Sequence, residues 1–62
     1  MKTKPKVGDL VDWRGEVGIV KQARGIDVQV HWMNPWNDES GRLIDVSWIR
    51  RASRGMRVIS RA

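Results

Sequence analysis

The stretch from Ile26 to Trp32 limits the possible folds more than any other part of this sequence, because polar and large apolar residues alternate along it without a break. A two-residue period places every second side chain on the same face of a β-strand. The apolar face of this strand holds Ile26, Val28, Val30 and Trp32. We therefore predict a central strand that buries one face in the core of a small β-sheet.

Two shorter strands are predicted before the central one, at Leu10–Trp13 and Val17–Gln22. Each is followed by a turn with a glycine, at Gly15 and Gly25, because glycine takes the positive φ that tight hairpins need. Gly18 interrupts the second strand, which favours a bulge or a sharp bend of the kind that curls a sheet.

The alternation stops after the central strand. Residues 33–41 are rich in turn formers and predict a long loop. Residues 42–46 predict a fourth strand, and residues 47–52 predict a 3₁₀ turn that runs into a brief fifth strand. No segment offers three turns of amphipathic helix, so the predicted class is all-β.

The 62 residues allow one small domain with little stability to spare. The chain has no cysteine, which excludes disulfides and thiolate metal sites, and we predict no cofactor. No apolar run approaches the roughly 18 residues that span a bilayer, and no signal-peptide segment follows the basic start. We expect the protein in the cytoplasm or in a viral particle, with neither a membrane nor a small-molecule substrate as its partner.

The net charge of +5 is concentrated at the two ends of the chain. Residues 1–6 carry three lysines and residues 50–62 carry five arginines, without any acid in either segment, whereas residues 7–49 carry seven acids against four basic residues. Clustered cations without acids are typical of surfaces that neutralise phosphates. The C-terminal arginines are also interleaved with Met56, Val58 and Ile59, which is typical of a segment that packs onto a partner.

Residues 6–13, K-V-G-D-L-V-D-W, and residues 15–20, G-E-V-G-I-V, resemble the V-G-D-x-V-x-W and G-x-x-G-x-V opening of SH3-like small barrels. That group includes KOW and Tudor-like modules and many short phage-encoded proteins. The resemblance covers residues 6–52 and implies a small five-stranded SH3-like barrel. A basic N-terminal arm (residues 1–5) and a basic C-terminal tail (residues 53–62) flank it, and the tail is either a free segment or an added strand.

SH3-like barrels bind nucleic acids, bind peptides and assemble particles, so the fold alone does not select a function. Our first hypothesis is a non-enzymatic module that docks through its basic arms into a larger protein assembly or onto copies of itself, as a small phage virion accessory or decoration protein would. The alternative is a nucleic-acid-binding module whose arms contact phosphates. The predicted partner-binding residues are the same in both cases: Lys2, Lys4, Lys6, Trp36, Arg50, Arg51, Arg54, Met56, Arg57, Val58, Ile59 and Arg61.

Trp36 stands apart from the other tryptophans because it lies in the predicted polar loop beside Asp38 and Glu39. It is either a lid folded back on the barrel, a stacking partner for a base, or a platform for a cation, which would make the module a reader of peptides or modified lysines. The other tryptophans are predicted to pack in the core or at its rim: Trp13, Trp32 and Trp48. His31 is the single histidine and is predicted to lie on the surface, so we predict no catalytic and no metal-binding residue.

Overall fold

The computed structural model describes residues 4–62, which form one antiparallel sheet of five strands. The strands are β1 (Leu10–Trp13), β2 (Glu16–Arg24), β3 (Asp27–Asn37), β4 (Leu43–Arg50) and β5 (Met56–Ser60). Their order across the sheet is β4-β3-β2-β1-β5. The predicted all-β class is confirmed. Within residues 4–62 no helix is long and apolar enough to cross a membrane.

β3 is the central strand that the alternation predicts, with one correction at its start. Val28, Val30 and Trp32 are buried in the core, as expected. Ile26 is 63% exposed, so its predicted place on the core face is wrong. Arg24 pairs with Asp27, which leaves Gly25 and Ile26 as a two-residue turn in which Gly25 has a φ of +59°. Alternation alone does not reveal where such a turn ends and the strand begins.

β3 also continues to Asn37, through residues predicted to form a long loop. The register between β3 and β4 shifts between His31 and Trp36, and pairing resumes where Trp36 faces Ile44. Pro35 lies within this irregular stretch, a position in a sheet where its missing N–H is tolerated. The loop is therefore reduced to a short turn at residues 38–42.

The predicted 3₁₀ turn and brief fifth strand at residues 47–52 are wrong. β4 continues to Arg50, and its last four residues pair with the first four of β3. The fifth strand is β5, which lies in the segment assigned to the C-terminal tail and pairs with β1. Of the two states predicted for the tail, residues 56–60 thus adopt the strand. Three arginines in residues 53–62 obscure the alternation of Met56 and Val58.

Both edge strands contribute to a single core. The buried apolar cluster consists of Val11, Val20, Val28, Val30, Trp32 and Ile49. Ile44 of β4 packs against this cluster, and so do Met56 and Val58 of β5, although β4 and β5 lie at opposite edges of the sheet. The sheet therefore curls, so that its concave face carries the apolar side chains, which no helix in residues 4–62 covers.

Gly18 serves close packing and is not the site of a bulge, which is one of the two features, a bulge or a sharp bend, that the sequence favours there. It pairs in regular register with Val11 on one side and Trp32 on the other. The bulge of β2 lies instead between Val20 and Gln22. A Cβ atom at position 18 would lie 2.5 Å from Cγ1 of Val30 and 2.8 Å from a ring carbon of Trp32. The missing side chain makes room for the largest residue of the core.

Candidate nucleic-acid interface

A basic cleft lies where Lys4, the β2–β3 turn, the end of β4 and the turn before β5 come together. It consists of two cavities of about 470 Å³ and 260 Å³, and Lys4, Arg51 and Ala52 line both of them. No carboxylate is among the residues that line either cavity. We use the name basic cleft for these two cavities, whose cationic side chains are Lys4, Arg50, Arg51, Arg54 and Arg57.

Local backbone hydrogen bonds explain why these cations are gathered. The N–H of Arg51 donates to the carbonyl oxygen of Ile26 at 2.7 Å, which extends the β3–β4 ladder by one residue and holds Arg51 beside the β2–β3 turn. The N–H of Ser53 donates to the carbonyl oxygen of Arg50 at 2.9 Å and closes the next turn. The chain then reverses into β5, so that residues close in sequence surround one cleft.

Arg51 is the best-defined cation of the basic cleft. Its side chain is half-buried, and its Nε is shielded from solvent without a hydrogen-bond partner among the described residues. A buried donor without an acceptor costs free energy, so such groups are rare and call for an explanation. A guanidinium pairs well with a phosphate or carboxylate group, which accepts two parallel hydrogen bonds. The cleft therefore has the chemistry of an anion site, with Arg51 at its centre.

Trp48 lies beside this cleft, on the solvent face of β4, and is 46% exposed. The guanidinium carbon of Arg24 lies 5.7 Å from the centroid of the Trp48 ring. The sequence predicts a core or rim position for Trp48 and, separately, a 3₁₀ turn over this segment. In the strand that forms instead, the neighbours of Trp48 take the core side: Ile49 is buried, and Ser47 accepts a hydrogen bond from Nε1 of Trp32 at 3.0 Å.

The apolar residues of the predicted tail divide between the two faces of β5. Met56 and Val58 pack against the core of their own chain. Ile59 is exposed. The apolar surface that the sequence assigns to a partner is therefore largely used inside the fold, and only Ile59 of these three faces solvent.

Two of the predicted partner-binding arginines contact carboxylates of the same chain. Arg57 lies opposite Asp12 in the β1–β5 ladder, and their side chains approach to 3.4 Å on the surface. The guanidinium of Arg61 lies 3.5 Å from the carboxylate of Asp9. Arg57 thus faces both the basic cleft and an acid, whereas Arg61 does not line the cleft.

Asp9 is the anchor of this end of the sheet. Its carboxylate is only 2% exposed and accepts hydrogen bonds from the N–H of Ala62 at 3.0 Å and the N–H of Lys6 at 2.9 Å. These hydrogen bonds, first that of Ala62 and then that of Lys6, hold the pKa of Asp9 below its usual value, and the charge of Arg61 lowers it further. Asp9 therefore stays ionised and fastens the residues that follow β5 to those that precede β1.

The remaining predicted partner-binding residues have diverse environments. Lys4, Lys6, Arg50 and Arg54 are exposed, and Lys6 does not line the basic cleft. Lys2 lies outside the described residues. The structure thus brings four predicted residues together at one anion site, at Lys4, Arg50, Arg51 and Arg54, with Arg57 at its wall.

Trp36 is folded back on the core. Its ring meets that of Trp32 edge to face, with centroids 5.1 Å apart, and Trp13 stacks on Trp32 at 5.8 Å. The guanidinium of Arg14 lies over Trp13, with its carbon 4.6 Å from the ring centroid. This geometry agrees with one of the three interpretations of Trp36 from the sequence, the lid that folds back on the rest of the fold.

Asp38 takes part in its own turn. Its carboxylate accepts hydrogen bonds from the hydroxyl of Ser40 at 2.7 Å and from the N–H groups of Ser40 and Arg42. The hydroxyl of Ser40 is the main reason that the pKa of Asp38 lies below its usual value. His31 is half-buried, and its Nε2 lies 3.2 Å from Oε1 of Gln29. No three His, Asp or Glu side chains come together as a metal site anywhere in residues 4–62.

The fold and site define a five-stranded antiparallel β-protein with a cationic cleft beside an exposed tryptophan. No protein-family model, no curated protein and no solved structure matches the chain. The function must therefore be argued from the geometry itself. Sequence reasoning missed Trp48, Arg24 and Ile26 as neighbours of the cleft. The alternation of Ile44, Val46 and Trp48 groups the three apolar side chains on one face, so no local signal in the sequence places Trp48 on the solvent face.

Proposed function

We propose that this protein is a non-enzymatic nucleic-acid-binding module with an SH3-like fold, whose basic cleft holds the phosphate backbone. The observation that carries the proposal is the basic cleft, with five cations and no carboxylate around two adjoining cavities. Phosphate contacts supply most of the affinity of non-specific nucleic-acid binding, and a cluster of this kind is what they require. Arg51 lines both cavities, so its guanidinium group belongs to the wall that would hold the phosphate.

The strand order supports the SH3-like barrel as the finer description of the fold. A first strand that pairs with both the second and the last strand, as β1 pairs with β2 and β5, is the arrangement that lets a five-stranded meander curl onto itself. Residues from both edge strands reach the same buried cluster. The opening motif of residues 6–20 resembles that of such barrels.

The distribution of acidic residues also favours nucleic-acid binding over the alternative that the charges serve only solubility. Asp9 and Asp12 lie against Arg61 and Arg57, so two carboxylates of the body face the C-terminal segment and not a ligand. Asp38 lies in the turn before β4, whereas the basic cleft lies after it. Eight residues of β4 separate these ends by about 25 Å. The nearest carboxylate to a polyanion in the cleft would be that of Asp27, which lies between Arg24 and Arg50 in the sheet.

The proposal is tested by the salt dependence of binding. Fluorescence anisotropy of a labelled oligonucleotide of about 12 nucleotides is measured between about 50 and 200 mM salt. We expect affinity to fall steeply with salt, and Arg51→Gln or Arg54→Gln to lower the slope of the log–log plot by about 1 each. Arg42→Gln is the matched control, since Arg42 is an exposed arginine at the opposite end of β4. A flat salt response, or equal effects of all three substitutions, contradicts the proposal.

The second candidate is the protein assembly that the sequence suggests first, with β4 as its contact. What favours it is the edge of β4, which has no neighbouring strand in the described sheet and exposes Leu43 and Val46. An exposed edge strand with apolar side chains is a template for strand addition. In this version a small virion accessory or decoration protein would add a neighbouring copy along β4.

Sedimentation of the purified protein over a range of concentrations tests this candidate. We expect a concentration-dependent rise in mass that Val46→Lys abolishes, because a charge on the edge opposes strand addition. Ile59→Lys is the control, since Ile59 is an exposed apolar residue on the other edge strand. A monomer at all concentrations, or an equal effect of Ile59→Lys, excludes self-association through β4.

A further inference from the structure

We propose that Trp48 is a base-stacking platform, which makes the ligand of the basic cleft a single-stranded nucleic acid. The inference rests on the proposed function and specifies its substrate class. It starts from the position of Trp48, which lies 46% exposed on the solvent face of β4, two residues before Arg50 of the basic cleft.

The ring of Trp48 is accessible for stacking. Its single cationic neighbour among the described residues is Arg24, at 5.7 Å from the ring centroid. That distance is close to the outer limit of about 6 Å for a cation–π contact, so Arg24 covers the ring loosely. An exposed aromatic ring flanked by a guanidinium is the combination that stacks bases without regard to their identity. Arg24 lies opposite Asp27, whose other neighbour in the sheet is Arg50.

The spacing along β4 connects the platform to the basic cleft. Trp48 and Arg50 lie on the same face of the strand, about 7 Å apart along it. This separation suits one nucleotide step of an extended single strand. With a base on Trp48, the adjoining phosphates would lie at Arg50 and then at Arg51, which line the same cavity.

The smaller cavity suits a nucleoside better than an isolated ion. Besides its cations, Gly25, Ile26 and Ala52 line it, and Ile26 is an exposed apolar side chain in a turn. An apolar wall next to cations accommodates a sugar or base next to its phosphate. Ile26 is exposed because it lies in the β2–β3 turn, and from there its side chain would contact the same ligand.

Unpaired bases are the only ones that such a platform can use. In a duplex the bases are stacked on one another and turned inward, so their faces are unavailable to a side chain on a sheet surface. Phosphate contacts alone do not distinguish the two forms strongly. Any preference of this protein for single strands should therefore depend on Trp48.

The experiment compares three labelled probes of equal length at one salt concentration: a thymidine strand, an abasic strand with the same phosphates, and a duplex. The proteins are the wild type, Trp48→Leu and Trp48→Phe, each checked for its fold by thermal unfolding. We expect Trp48→Leu to bind the thymidine strand about 10-fold more weakly and the abasic strand and duplex unchanged. Trp48→Phe should retain most of the affinity because it retains a ring.

Three other outcomes are informative. Equal losses on the thymidine and abasic strands overturn the stacking role, because the effect then does not involve bases. Unchanged binding by Trp48→Leu overturns it too, and if Arg51→Gln still weakens binding, the proposed function survives without the platform. If neither Trp48→Leu nor Arg51→Gln affects binding, or if the wild type binds no probe, the proposed function itself is excluded.

Discussion

Gly55 separates two groups of arginines that differ in what surrounds them. Before it, Arg50, Arg51 and Arg54 line cavities without a carboxylate. After it, Arg57 and Arg61 reach acids near β1. The pairing of β5 with β1 causes this difference, because it brings the second group alongside acidic residues and leaves the first group at the end of β4 and in the connection that follows. A cluster of cations in a sequence is therefore not yet a cationic surface.

The largest effect is expected from a charge on the core side of β5. Val58→Asp should destabilise the protein by about 3 kcal/mol, because it places a carboxylate against the apolar cluster. Ile59→Asp is the matched control on the next residue, whose side chain is exposed, and should cost well under 1 kcal/mol. Urea unfolding measures both. Similar losses for the two variants would mean that β5 is not docked as described.

The next largest effect concerns Asp9. Asp9→Ala should cost about 2 kcal/mol, because two backbone N–H groups lose their acceptor. The pKa of Asp9 is lowered in the folded state, so its contribution to stability is present above its unfolded pKa, near 3.8, and is lost as the pH falls through its folded pKa.

Urea unfolding of the wild type from about pH 6 down to pH 3 should therefore show a fall in stability in the acid range. Asp9→Asn removes the titrating group and should flatten that fall. A wild-type curve that stays level down to pH 3, or one that Asp9→Asn leaves unaltered, would contradict the role given to this carboxylate.

Arg51, which precedes Gly55, offers a substitution that should increase the free energy of unfolding instead of lowering it. Arg51→Met should raise the free energy of unfolding by about 1 kcal/mol, because it removes a buried donor that has no partner within residues 4–62 and keeps the apolar stem. The same substitution should weaken oligonucleotide binding. A variant that loses both stability and binding would show that Arg51 supports the fold and not a ligand.

The smallest effect is expected at Arg57. Its pairing with Asp12 is on the surface, where ion pairs contribute little, so Arg57→Gln should change stability by less than about 0.5 kcal/mol. Thermal unfolding at low and high salt gives the measurement. A loss above 1 kcal/mol would show that the pair fastens β5 more strongly than its exposure implies.

Much of the sheet was predictable, because alternation and glycine turns are local signals. The predicted bounds of the first strand match β1, and Val28, Val30 and Trp32 are core residues as expected. The register shift in β3 was not predictable, since residues 32–35 carry turn-forming residues and the strand persists through them only because β4 pairs on both sides.

The sequence predicts that the candidate site is made of basic residues, but it does not predict which of the basic residues form it. The sequence indicated that basic residues near both ends act on a partner. Which arginines remain available depends on the long-range pairing of β5 with β1, and the exposure of Trp48 depends on β4 continuing as a strand. Neither dependence has a local signal as strong as the alternation in β3.

The hydrogen bond between Ala62 and Asp9 joins residues 53 positions apart in the chain. The β1–β2, β2–β3 and β3–β4 hairpins form between strands that are neighbours in the sequence. β5 instead pairs with β1, the strand that is farthest from it in the sequence. Closing so long a loop is entropically unfavourable before the contacts form, so this docking should be the slow event of folding. During synthesis the partly folded sheet would have to wait for residues 56–62 to emerge, with one side of β1 and part of its core still open to water.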